Sequence, residues 1–194
     1  NGQAEFRGRY DLTPELLSGD GKMDFANSEL ESNRMEFKQN VFDADTADFR
    51  LKTAQQEVGA LAFTTNNVNA HIDFNERTGD FQSNGKGTFV NFPVNQYMCF
   101  MDNFKWYMDK SDIELGSNKK YADKSDVELS GSEFISTHPD QDSLRFIAPK
   151  AKYDVKNYII SAKDVKYINV ADARIYPDSG NVVIERKAVM RTLK

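Results

Sequence analysis

The sequence predicts an all-β fold of serial antiparallel hairpins, stacked as a β-roll, jellyroll or solenoid with little helix. Three observations predict it. Apolar and polar residues alternate with a period of two, as in strands buried on one face. Short polar clusters built on Gly, Pro, Asn and Asp punctuate that alternation. A block of sequence is also duplicated: Tyr107–Leu115 (YMDKSDIEL) recurs as Tyr121–Leu129 (YADKSDVEL), with seven of nine positions identical. Repetition of one supersecondary unit marks a stacked or rolled architecture.

Near the start, Thr13, Pro14, Glu15, Leu16 and Leu17 have the form of an N-cap and one helical turn, with Pro at the first helical position. Gly19 and Gly21 stand in β-like surroundings. Phe25–Leu30 reads as a hairpin tip. Phe42 and Ala44 face one way while Ala47, Phe49 and Leu51 continue with the parity switched, which predicts a bulge. Thr53–Gly59 reads as a helical turn. Phe74–Phe81 is a hairpin with Gly79 in the permissive position.

Tyr97–Met108 fits two periods, because Tyr97, Phe100, Met101, Phe104, Tyr107 and Met108 have helical spacing while Phe104, Trp106 and Met108 alternate. Pro93 upstream and the turn signal Asp102-Asn103 favour two strands. His138–Ser143 is a polar loop. Tyr153–Tyr158 is a hairpin that uses Asn157 where others use Gly. Val165–Ile175 reads as one half-buried strand. Tyr176–Val182, with Pro177, Asp178 and Gly180, reads as a hairpin turn before Val182, Ile184, Ala188 and Met190 resume the alternation.

The 194 residues suffice for one domain, or two small ones, with a real core, and a 39% apolar, 28% charged, 12% aromatic composition suits a water-soluble globular chain rather than a disordered one. We read residues 1–194 as a single continuous repetitive domain with a weak boundary near 116–132. The opening Asn1-Gly2-Gln3, without an initiating Met, reads as a mature form or a piece of something longer. The net charge of -5 and the absence of any basic run longer than two residues argue against nucleic acid as a partner. Cys99 is the only cysteine, which excludes an intrachain disulfide and a cysteine-rich zinc site. No stretch approaches the length of a transmembrane helix.

Little in the chain reads as chemistry. The two histidines, His71 and His138, fall on a polar strand face and in a turn, where a solvent-facing or locally bonded imidazole is the plain reading. Asp24, Asp73 and Asp154 stand beside turn aromatics and suit turn chemistry better than acid catalysis. Asp109–Asp112 and Asp123–Asp126 lack the ligand pattern of a calcium loop. Gly85-Lys86-Gly87 is no dinucleotide fingerprint. We therefore expect no catalytic residues, no metal and no cofactor. The best candidate for a ligand groove is the aromatic concentration Phe89, Phe92, Tyr97, Phe100, Phe104, Trp106 and Tyr107. Such rings stack on sugars or line a slot for acyl chains, and the competing reading is plain hydrophobic core. Exposure decides between the two.

Two units carry a resemblance. Ala151–Ile160 has the form Ala-x-Tyr-Asp-x-x-x-Tyr-Ile-Ile, and Ala173–Ile184 (ARIYPDSGNVVI) follows with similar cadence. They resemble the OstA-like periplasmic lipopolysaccharide-transport family, the β-jellyroll or β-taco proteins, and are also similar to repetitive envelope proteins of the Bacteroides type. The resemblance covers the last third of the chain clearly and the rest loosely. It implies an open, twisted roll in the periplasm or cell envelope, with a bridging or lipid-handling role. The duplication and the aromatic cluster around Trp106 depart from that pattern, so no binding residue is carried over. The expected function is a non-catalytic envelope module for assembly or for binding an amphipathic lipid. Its partners would be a lipid or glycan, a second copy meeting it edge to edge, or other envelope proteins. The alternatives are a carbohydrate-binding β-sandwich, and a polysaccharide hydrolase or lyase with carboxylate catalysts.

Overall fold

The computed structural model describes residues 4–53, 60–85, 88–122 and 128–191, which are 65% strand and 5% helical, with no helix of seven residues or more. The chain opens with a meander of long antiparallel strands: β1 (Ala4–Leu12), β2 (Leu17–Phe25), β3 (Ser28–Lys38), β4 (Val41–Lys52) and β5 (Leu61–Asp73). Shorter strands follow: β6 (Thr78–Ser83), β7 (Phe89–Phe92), β8 (Tyr97–Phe100), β9 (Asn103–Tyr107), β10 (Asp112–Gly116), β11 (Lys120–Ala122) and β12 (Glu128–Ser130). The last are β13 (Ser132–Ser136), β14 (Arg145–Ala148), β15 (Lys150–Asp154), β16 (Ile159–Lys163), β17 (Ile168–Val170), β18 (Ala173–Ile175), β19 (Val182–Ile184) and β20 (Met190–Arg191).

Beyond β5 the sheet divides. The C-terminal half of β5 pairs with β6, and its N-terminal half pairs with β7. One branch, the first sheet, continues β6-β9-β10-β15-β16-β19-β20. The other, the second sheet, continues β7-β8-β13-β14-β17-β18. After β6 the chain thus lays two strands in one sheet, crosses a corner, and lays two in the other. Within the meander single strands turn the corner themselves. β2 slips register between Gly19 and Gly21, and β4 between Ala44 and Ala47, where Thr46 takes a φ of 49°. The bulge predicted from the parity switch is this corner.

The sheets face each other across one continuous apolar cluster. Phe63 of β5 meets Phe104 of β9 at 5.0 Å between ring centroids, Phe92 of β7 meets Tyr153 of β15 at 4.9 Å, and the Tyr153 hydroxyl donates to the Ala62 carbonyl at 3.1 Å. Each fully buried Phe or Leu side chain contributes about 1.5–3 kcal/mol by leaving water, so this interior dominates the stability. Glycine is required where backbones touch: Gly8 and Gly21 are directly opposed, and a Cβ on Gly8 would lie 2.1 Å from the Asp20 carbonyl oxygen.

Several local expectations need correction. Residues 13–16 form a bend, not a helical turn, and β2 begins at Leu17. Val165–Ile175 is not one strand but leads into the tight hairpin β17–β18, turned at Ala171, whose φ is 48°. Tyr176–Val182 joins no hairpin: it crosses from β18 in the second sheet to β19 in the first through a short 3-10 turn at Asp178–Gly180. In the β5–β6 turn the left-handed residue is Arg77, while Gly79 lies in β6 against Ile72 and Phe81. In the β15–β16 turn it is Tyr158, not Asn157. The turn expected at Thr53–Gly59 lies largely outside the described residues, as does most of Asp123–Asp126. The interval 116–132 holds a corner and the separate two-stranded sheet β11–β12, and the apolar cluster includes strands on both sides of it.

Candidate functional site

The seven rings proposed as a groove divide by strand parity. Phe92, Tyr97, Phe104 and Trp106 point inward, and each is 0–2% exposed. Trp106 packs on Phe49 at 5.4 Å and on Phe25 at 5.9 Å, and Phe104 stacks on Phe81 at 4.3 Å. Their faces are occupied by neighbours, so they are core and offer no stacking platform. Phe89 and Phe100, in contact at 6.0 Å on the outside of the second sheet, are half-buried, as is Tyr107. Tyr107 donates its hydroxyl to Glu114 at 3.2 Å. The structure therefore does not gather the seven into one open slot. Burial also pushes the Cys99 thiol well above its ordinary range, which makes it a small apolar residue in effect.

The outer face of the first sheet carries an open trough of about 660 Å³. One cross-strand row along it runs Asp43, His71, Asp80, Lys105, Glu114. Neighbours in this row bond one another: His71 Nδ1 lies 2.6 Å from Asp43 Oδ1, and Lys105 Nζ lies 2.8 Å from Asp80 Oδ2. Cross-strand pairs of opposite charge are an ordinary way to stabilise an exposed sheet face. His138 accepts a bond from the Asp140 amide at 3.1 Å and caps a turn. Among the described residues no group of three or more His, Cys, Asp or Glu is placed to hold a metal ion. Asp73 and Asp154 do turn chemistry: Asp73 accepts from the amides of Asn75 and Glu76, and Asp154 from the amide of Asn157.

The two ends of the roll are different in kind. At the head, β1 pairs among the described residues with β2 alone, which leaves one side of its nine residues as an edge. Phe6 and Tyr10 of β1 cluster with Phe37 of β3 at centroid distances of 4.6–6.1 Å, yet Tyr10 is 60% exposed and Leu12 is 77% exposed. At the tail, the last strands are β18 in the second sheet and β20 in the first. Tyr176 directly follows β18 and is 66% exposed, and Val189 directly precedes β20 and is 51% exposed. These four are the exposed large hydrophobic residues among those described, and all lie at the two ends.

No family model and no curated protein matches this chain. What can be said of its site therefore rests on its own geometry.

No motif in the sequence marks the end residues. A signal for the head did exist, since Phe6, Tyr10 and Leu12 share one parity in a segment otherwise rich in charge. Tyr176 was visible only as a turn aromatic, and nothing local distinguishes an aromatic beside an edge strand from one in an interior hairpin.

Proposed function

We propose that the chain is a non-catalytic β-roll that assembles end to end, the head of one copy docking on the tail of the next. The observation that carries this reading is the confinement of the exposed large apolar side chains to the two ends. An edge strand left with unpaired N–H and C=O groups recruits another strand unless charge, proline or a bulge blocks it. β1 contains no proline, and its two arginines are already paired across the hairpin, Arg7 with Asp24 and Arg9 with Asp20. They oppose an incoming strand less than unpaired charges would. A head-to-tail contact is heterologous, so it propagates rather than closing on itself. The envelope location that goes with this reading comes from the family the chain resembles.

Sedimentation velocity over a concentration series tests it. The wild type is expected to shift from monomer to a ladder of oligomers, and Tyr10→Lys with Leu12→Lys to remain monomeric with the β-sheet circular dichroism retained. A wild type that stays monomeric throughout, or an oligomer indifferent to both substitutions, rules the proposal out.

A further inference from the structure

Two sheets that share strands on one side leave a seam on the other, where hairpin tips of the first sheet meet those of the second. Near the tail, hydrogen bonds lock this seam. The β7–β8 turn of the second sheet places Asn95 at 0% exposure between tips of the first. Its side-chain nitrogen donates to the Tyr158 carbonyl at 2.7 Å and to the Ile184 carbonyl at 3.4 Å. The segment 185–189, between β19 and β20, answers from the other side: the Lys187 amide donates to the Val94 carbonyl at 3.0 Å, and the Ala188 amide to the Asn95 carbonyl at 2.9 Å. Gln141, in the β13–β14 connection, donates its side-chain nitrogen to the Ala188 carbonyl at 2.8 Å and accepts from the Tyr97 hydroxyl at 3.1 Å. Arg186 lies 4.3 Å from the Tyr158 ring centroid.

The same clasp stores opposing free energy. Gln96, Lys187 and Ala188, facing one another across the seam, have φ of 55°, 54° and 56°, a left-handed conformation unfavourable for side chains with a Cβ. Closure also buries Asn95 Oδ1 and Gln96 Oε1 without a hydrogen-bond partner among the described residues. Buried unpaired acceptors forfeit hydration, and opening restores it. Toward the head the facing tips also meet through rings, Phe25 against Phe74 at 5.7 Å and against Trp106 at 5.9 Å.

From this we infer that Asn95 and the 185–189 segment form a latch, poised to release the tail end of the seam while the rest of the roll stays folded. Release parts the tips of β15–β16 and β19 from the β7–β8 turn and bares the apolar residues beneath, Phe92, Tyr153 and Ile184 among them. The segment carries Val189 of the tail surface, but the latch is a property of the single copy and its test does not require copies to meet end to end.

Amide hydrogen exchange on the full chain, with two substitutions of opposite expected sign, tests the latch. Asn95→Ala removes the donor that spans the seam. Exchange at the amides of Lys187 and Ala188 is expected to quicken by at least about tenfold while β3 and β4 stay at wild-type rates, and the dye anilinonaphthalene sulfonate should gain fluorescence. Lys187→Gly removes left-handed strain without removing a bond, and the Ala188 amide should exchange severalfold more slowly. The latch is overturned if Asn95→Ala leaves those amides unchanged, or quickens them only in step with β3 and β4. It is equally overturned if Lys187→Gly speeds exchange. The glycine variant keeps the test decisive should the alanine variant fail to fold.

Discussion

Asp102 sits where β8 gives way to β9 and the chain turns from the second sheet to the first. Its carboxylate accepts from the Asn118 amide at 2.8 Å and the Ser117 hydroxyl at 2.9 Å, and lies 3.5 Å from Lys119 Nζ. Partial burial pushes its pKa up, but those donors and the ammonium outweigh burial and hold it below the ordinary carboxylate value. A carboxylate whose native pKa is depressed adds stability at pH values above its unfolded pKa of about 3.9, and loses it as pH falls through the lower native value. Asp102→Asn should therefore cost about 1 kcal/mol at neutral pH and nothing once the wild-type group is protonated. Melting temperatures of both proteins from neutral pH into acid check this: the curves should converge at the acid end. The sequence showed Asp102 only as a turn former, because its donors Ser117 and Asn118 lie beyond a whole strand pair. Trp106 was more legible, since its alternation with Phe104 and Met108 already offered a core reading, and strand parity settled it.

At the scale of elements, the hairpins closed by short polar turns were readable, as at Phe25–Leu30, Phe74–Phe81 and Tyr153–Tyr158. The hairpin β17–β18 was not, because Ala171 takes the left-handed turn position that Gly, Asn or Asp usually announces. The duplication shows how far local sequence reaches. In the first copy Tyr107 pairs with Asp112, whereas in the second Tyr121 pairs with Leu129. The first copy is gripped by β6 on one side and β15 on the other, while among the described residues β11 and β12 pair with each other alone. Neighbouring strands, not the nine residues, choose the register. The corners carry their own demands. Gly131 has a φ of 130°, and a Cβ there would meet the Ala148 carbonyl oxygen at 2.2 Å. Gly131→Ala should lower stability by about 2–3 kcal/mol, because it adds both strain and a backbone clash. Urea denaturation of the two proteins checks the size, with an unchanged slope expected if the roll survives.

For the whole molecule, alternation could foretell strands but not their partners, since a period of two carries no record of which sheet a strand joins. The division of the chain between two facing sheets was accordingly out of reach, and with it the meaning of the ends. One apolar cluster runs through both sheets, so they should unfold together despite their separate ladders. Trp106, the only tryptophan, reports from the middle of it. Its fluorescence and the far-ultraviolet circular dichroism should trace coincident denaturation curves. Two separated midpoints would mean that the sheets are independent.

The habit of laying two strands in one sheet and then two in the other has an implication for how such a chain changes in length. Every lap hydrogen-bonds to the lap before it and leaves a fresh rim of the same kind. Further strands laid on β18 and β20 would pair there as each earlier lap pairs with its predecessor, much as courses of brick are added to a wall. Size in this architecture is thus a count of laps, open to revision in small steps, whereas the bent strands at the start fix the width of the wall once for all.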